Sequence, residues 1–204
     1  MIKTSDTASL DRVGLHEHRE ARIYSRQQWF RVRKSRPYIK KAIRLCGNRP
    51  IIFEFGCAAL SLSGKYSSIA DVYGVDCNRG YIPIVESRYP DCKLIIDAVE
   101  TFTPEKVDIL VLCEILEHLV DPMGLLKRLL PLARYAIISH PIDEAITPNR
   151  SINQHYWSFS EEDLDRWFYE NNYRILIREG FSTFHNGSGF DHRIALGENN
   201  VSKS

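Results

Sequence analysis

Three acids stand where short apolar runs end. Glu54 closes Ile51-Ile52-Phe53 and precedes Gly56, Asp76 closes Val72-Tyr73-Gly74-Val75, and Asp97 closes Leu94-Ile95-Ile96 just before Ala98. A strand that stops at an acid beside a glycine turn, then a helix, then another strand that stops at an acid, suits a nucleoside ligand. The turn lets the ligand approach the backbone, and the second acid can accept from both ribose hydroxyls. A pyrophosphate would call for G-x-G-x-x-G at a helix N-terminus. Here the turn reads Gly56-Cys57-Ala58-Ala59-Leu60-Ser61, with one glycine of the three, and there is no Walker loop. These residues favour a nucleoside carrying an amino acid. Glu54 or its neighbours would meet an ammonium, Asp76 the ribose and Asp97 the adenine amino group.

A second group follows the apolar run Val107 to Cys113. Glu114, Glu117 and His118 begin where that run ends, and ligands of open α/β sheets bind at the carboxyl ends of strands. An unshifted imidazole titrates near neutrality, so His118 is a candidate general base, and equally a histidine that packs or caps the loop. On a helical turn the i, i+3, i+4 spacing would put Glu114, Glu117 and His118 on one face, the right types for a divalent ion such as Mg or Mn. Trp157 and the segment from Gly180 to Phe190 offer either a stacking floor for an acceptor or packing against the sheet. His185 and His192 read as solvated or hydrogen-bonded surface histidines.

The elements that must position these residues alternate. A helix over 17–34 should break at Ser35 and Pro37 and restart through Ile39, Ala42, Ile43 and Cys46, stopping at Gly47. Strands are expected over 51–55, 72–76, 93–97, 107–113 and 135–139. Helices are expected over 60–69, 78–89, from Asp121-Pro122, and from Ser160 to Glu170. The run 107–113 is apolar on both faces and therefore central in a parallel sheet. Residues 140–159 form a polar connection long enough to be functional. Two last strands, 173–178 and 193–196, have no helix between them and should pair antiparallel at one edge. The expected fold is α/β: a doubly wound, seven-stranded sheet, mostly parallel with one antiparallel edge strand, and helices on both faces.

At 204 residues one domain is expected, comprising a basic helical arm (1–48), a ligand-binding domain (49–198) and a frayed tail (199–204). The net charge of +1 hides an asymmetry. Between Arg19 and Arg49 stand eleven Lys or Arg and one acid, whereas the rest of the chain has 16 basic against 25 acidic residues. Arginines and lysines of the arm interleave with Tyr24, Trp29, Phe30 and Tyr38, which suits a phosphate-bearing partner or a solvated cationic face. The five cysteines show no C-x-x-C pair and read as reduced thiols of a cytoplasmic protein. No signal-peptide or membrane-span pattern occurs.

The segments FEFGCAA (53–59), VYGVD (72–76), IIDA (95–98) and DILVLCEILEHL (108–119), with the closing strand pair, resemble the class I S-adenosylmethionine-dependent methyltransferases over residues 50 to 196. The likeness is nearest the small-molecule and sugar branch, which carries E-x-L-E-H-L after the fourth strand. It implies S-adenosylmethionine as cofactor, held by Glu54, Gly56, Cys57, Asp76, Cys77, Asp97, Ala98 and Glu114. It further implies O-methylation of a sugar, sugar nucleotide or glycan, with His118 as base and Glu114 beside it. The arm would cover the cofactor. One departure stands out: Ala58 takes the place of the second glycine, where φ > 0 costs an alanine. Glu114, Glu117 and His118 also resemble the ligands of metal-dependent ribose 2′-O-methyltransferases of small RNAs, which need a further histidine, for which His140 and His155 are available. A degenerate, binding-only member is the third reading.

Overall fold

A computed structural model describes residues 2–3, 26–142, 155–185 and 188–203. The elements in chain order are β1 (Ile2–Lys3), α1 (Arg26–Cys46), β2 (Ile51–Phe55), β3 (Asp71–Asp76), α2 (Ile82–Arg88), β4 (Lys93–Ile96), β5 (Val107–Cys113), α3 (Pro122–Leu129), β6 (Ala133–Pro141), β7 (Trp157–Ser158), α4 (Glu161–Glu170), β8 (Tyr173–His185) and β9 (Ser188–Asn199). Seven strands form one sheet in the order β4-β3-β2-β5-β6-β9-β8. The first five run parallel. β9 pairs antiparallel with both β6 and β8, so the reversed strand sits one place inside the edge. β1 and β7 form a separate antiparallel pair.

Alternation along the strands builds a core on each face. Phe53, Phe55, Leu110 and Leu112 point to the face covered by α3 and α4, through Leu125, Leu126, Leu129, Leu164 and Phe168. Ile52, Ile109 and Val111 point to the other face, with Ile39, Ala42 and Ile43 of α1 and Val85 of α2. The two-sided burial of β5 explains its unbroken apolar run. Fully burying each such aliphatic side chain stabilises by about 1.5–3 kcal/mol.

Three expected elements differ. The break at Ser35-Pro37 does not occur: α1 runs continuously through Pro37. The missing N–H and ring clash of an interior proline cost about 3 kcal/mol, and here buried Ser35, Tyr38, Ile39 and Ala42 anchor the helix on both sides of it. Gly47, at φ +77°, ends it as expected. The helix expected over 60–69 is reduced to turns and one 3-10 turn, Gly64–Tyr66. Ala58 and Leu60 take left-handed φ of +46° and +53°, and Ser63 is drawn into a buried hydrogen bond, so the chain does not propagate a helix. The tail expected to fray from residue 199 is tied further along. Asn199 closes β9 in the interior, and Asn200 donates from its backbone to Asn172 O. Of the arm, residues 1 and 4–25 lie outside the described residues.

Candidate active site

The strand order reverses between β2 and β5, the switch point where open α/β sheets bind ligands. A cleft of about 240 Å³ opens there, at the carboxyl ends of the strands. Each wall comes from the residues just past a strand: Gly56 after β2, Asp76, Cys77 and Asn78 after β3, Ala98 to Glu100 after β4, and Glu114, Ile115, His118 and Leu119 after β5. Tyr81 closes one side.

The β2 turn is held by its neighbours. Gly56 has φ +62°, and a Cβ there would fall 2.5 Å from Ile115 Cδ1. Asp76 Oδ2 accepts from Ala58 N at 2.8 Å and Oδ1 from Asn78 N at 2.9 Å, so one carboxylate ties the turn after β2 to the turn after β3. A carboxylate retains acceptor capacity beyond those two bonds. The β4 wall is fixed by Arg128 of α3, which donates to Val99 O at 2.9 Å, to Phe102 O at 3.3 Å and to Glu100 O.

Glu114 has φ +57°, an uncommon conformation for a residue of its kind and one that collects at functional sites. It stands just before the 3-10 turn Leu116–His118. Its Oε1 accepts from Ser139 Oγ at 2.9 Å, and its Oε2 lies 2.9 Å from His192 Nδ1. His192 is fully buried, stacked on Phe181 and bonded through Nε2 to Thr183 Oγ1. It is therefore not the surface histidine expected from sequence. The antiparallel return of β9 carries it under the β5 terminus, where it meets Glu114.

The backbone at Glu114 also changes the candidate metal set. Glu114 does not join Glu117 and His118. His155 does: the ligand atoms of Glu117, His118 and His155 lie within 4.8 Å of one another. The two imidazole rings meet edge to face at 4.5 Å, and His118 Nε2 is 3.9 Å from Glu117 Oε1. Tyr156 N donates to Glu117 O, and Trp157 Nε1 donates to Leu119 O, so the 155–157 strip is fastened to the β5 loop. Trp157 also stacks parallel to Phe159. His140 is not near this set. It is buried against Phe159 and Trp167, with Nδ1 on Pro141 O, and burial pushes its pKa down.

Of the residues expected to hold a cofactor, Gly56, Asp76, Cys77, Ala98 and Glu114 line the cleft, as does His118. Three expected residues are not in that lining. Glu54 is 3% exposed and bonds Ser63 N at 2.9 Å and Ser63 Oγ at 2.5 Å. Burial pushes its carboxyl up to about 7, against the hydrogen bonds of Ser63 and Leu62 and the charge of Arg36, which pull it down. Cys57 is buried beneath the turn, its Sγ where a Cβ on Gly74 would stand. Asp97 is exposed and accepts from Ala98 N. Asn78, Tyr81, Val99, Glu100, Ile115 and Leu119 line the cleft without having been singled out. Their sequence signal is position, within six residues of a strand-ending acid or cysteine.

No protein-family model and no curated protein matches the chain. Solved structures share its fold, that of the Rossmann-like methyltransferases. The N-methyltransferase NodS from Bradyrhizobium japonicum, in complex with S-adenosylhomocysteine, is similar with a TM-score of 0.68 and 13% identity, over 93% of this chain and 97% of that one. Magnesium protoporphyrin IX methyltransferase from Synechocystis, also with S-adenosylhomocysteine, gives 0.64 and 16%, over 93% and 94%. The 1,6-didemethyltoxoflavin-N1-methyltransferase from Burkholderia thailandensis gives 0.64 and 15%, over 85% and 81%.

Proposed function

We propose that this protein is an S-adenosylmethionine-dependent methyltransferase acting on a hydroxyl of a small acceptor such as a sugar, sugar nucleotide or glycan. One observation carries the reading. Among the described residues the switch-point cleft is lined by three carboxylates, Asp76, Glu100 and Glu114, and by no lysine or arginine. Such a lining repels a diphosphate and attracts a ligand that brings hydroxyls, an ammonium and a sulfonium. Gly56, which leaves no room for a Cβ, brings the backbone close, and Ala98, Val99, Ile115 and Leu119 supply apolar walls for a base. The shared fold with proteins crystallised with S-adenosylhomocysteine supports the same ligand.

When bound, this cofactor supplies an electrophilic methyl group on sulfur. Asp76 would accept from the ribose hydroxyls, and Ala98 and Val99 would flank the adenine. Glu114, held by Ser139 and His192, would face the aminoacyl end. His118, a quarter exposed at the cleft, would orient the acceptor hydroxyl in line and take its proton as the new carbon–oxygen bond forms. Replacing His118 by alanine should slow methyl transfer about a hundredfold or more while leaving S-adenosylhomocysteine affinity within about twofold. Calorimetry and a discontinuous methyl-transfer assay read both numbers. A loss below about tenfold returns His118 to a packing role.

A second reading, a metal-dependent methyltransferase acting on RNA ribose, is favoured by the Glu117–His118–His155 cluster beside the same cleft. These residues would hold a divalent ion, which would polarise an acceptor hydroxyl. Activity that survives exhaustive chelation removes this reading and leaves the first intact.

A further inference from the structure

The charge asymmetry of the chain has a local focus. A second hollow, of about 430 Å³, lies between α1 and the 3-10 turn Gly64–Tyr66. Arg33, Arg36, Pro37 and Lys40 fall at i, i+3, i+4 and i+7 of α1, one helix face, and Lys65 stands opposite them. No carboxylate lines this hollow among the described residues, the reverse of the switch-point cleft.

Like charges gathered in this way repel unless an anion joins them. Lys65 records that cost: its ammonium is pushed down by desolvation and by the charges of Arg36 and Lys40. The carboxylate whose charge acts on Arg36, Glu54, is buried and engaged with Ser63. Arg36 gives one guanidinium nitrogen to Ser61 O at 2.9 Å, which fixes the group in place, while its Nε is buried without a hydrogen-bond partner. Tyr66 holds the floor through a hydrogen bond from its hydroxyl to Arg36 O, and Lys65 sits 4.9 Å over its ring. A guanidinium fixed at one nitrogen and flanked by two ammonium groups matches the oxygens of a phosphoryl group, with the guanidinium as a fork and the lysines as point charges.

We propose that Arg36, Lys40 and Lys65 form a binding site for a compact phosphoryl anion, a phosphate ester or diphosphate, separate from the switch-point cleft. The hollow is short, two helical turns against one 3-10 turn, which fits a phosphorylated small molecule or a lipid headgroup better than an extended nucleic acid. The site does not rest on methyl transfer, since its occupation is measured without a methyl donor.

The experiment titrates inorganic pyrophosphate into the full-length protein by calorimetry at constant ionic strength. Saturable millimolar or tighter binding is expected, weakened at least tenfold in Lys40→Glu and in Lys65→Glu and unchanged in Lys93→Glu, a reversal elsewhere on the surface. Circular dichroism checks that each variant is folded, and both reversals are of exposed side chains. Sedimentation with phosphatidic acid vesicles distinguishes the sources: co-sedimentation lost in Lys65→Glu supports a headgroup, and pyrophosphate binding without co-sedimentation supports a soluble phosphate ester. Absence of both overturns the proposal. So does pyrophosphate binding that all three reversals weaken alike, or a short single-stranded RNA that binds far tighter than pyrophosphate with the same sensitivity to Lys65→Glu.

Discussion

Glu54 stands one residue before the end of β2, yet it faces inward and bonds Ser63 twice. Replacing it by glutamine keeps an acceptor for Ser63 and removes the ionisation. Folding lifts the carboxyl from an ordinary 4.5 to about 7, so the native state holds its proton more tightly than the unfolded chain does. Between those values the native state binds more protons, and stability falls as pH rises. The contribution is neutral below about 4.5, where both states are protonated, and levels off above about 7. Integrated between pH 5 and 8, the wild type should lose about 2.5 kcal/mol through this one group, a loss the Gln variant escapes. Urea unfolding of both proteins at several pH values reads the difference, in which titrations common to both cancel. The variant should gain on the wild type steadily from pH 5 to 8. A difference flat to within about 0.5 kcal/mol over that range would refute the reasoning, and would mean that Glu54 is ionised in the folded protein and compensated by Arg36 and Ser63.

Three further substitutions probe the turn and the walls of the cleft. Ala58→Gly removes the cost of a side chain at φ +46°, and should raise stability by about 0.5–1 kcal/mol after the added chain entropy of glycine, read from the urea midpoint. Gly74→Ala places a methyl 2.5 Å from Cys57 Sγ and 2.7 Å from Leu60 Cδ1. It should cost about 1–3 kcal/mol of stability and also weaken S-adenosylhomocysteine binding, because the β2 turn must lift to make room. Arg128→Met keeps the aliphatic stem but frees the carbonyls of Val99, Glu100 and Phe102. Calorimetry should show S-adenosylhomocysteine binding weakened about tenfold or more with methyl-transfer chemistry on saturated enzyme little changed.

The sheet was largely legible. The two-sided apolar run Val107–Cys113 is the central parallel strand it was expected to be, and Asp121-Pro122 and Ser160 with Asp163 marked helix starts that the structure caps as expected. What escaped depended on conformations that no local pattern reports. Glu114, Glu117 and His118 have helical spacing, but spacing predicts a shared face only if the backbone is helical, and Glu114 is left-handed. His192 is 78 residues from Glu114 in the chain, and only the antiparallel insertion of β9 beside β6 brings the two within 2.9 Å. The helix expected after Gly56 failed for the same reason as the metal set, since left-handed residues at 56, 58 and 60 bend the chain where periodicity alone saw continuity.

Those left-handed residues also show what the acid of β2 does. A stretch that turns at Gly56, Ala58 and Leu60 keeps only a few helical backbone bonds, and each buried orphan donor would cost about 1–3 kcal/mol. Two acids supply what the missing helix would have. Asp76 takes Ala58 N and Glu54 takes Ser63 N, one at each end of the curl. Arg36 then takes Ser61 O from outside. The curl between Gly56 and Tyr66 therefore begins in the acidic cleft and ends in the basic hollow, and these side chains fasten it together with a few backbone bonds of its own, Leu60 N to Cys57 O, Gly64 N to Leu60 O and Tyr66 N to Ser63 O. Glutamate, a methylene longer than aspartate, reaches across that curl from the strand. An acceptor of this length at residue 54 thus serves the fold of the turn, while Gly56, at the start of the curl, is the residue that lines the cleft.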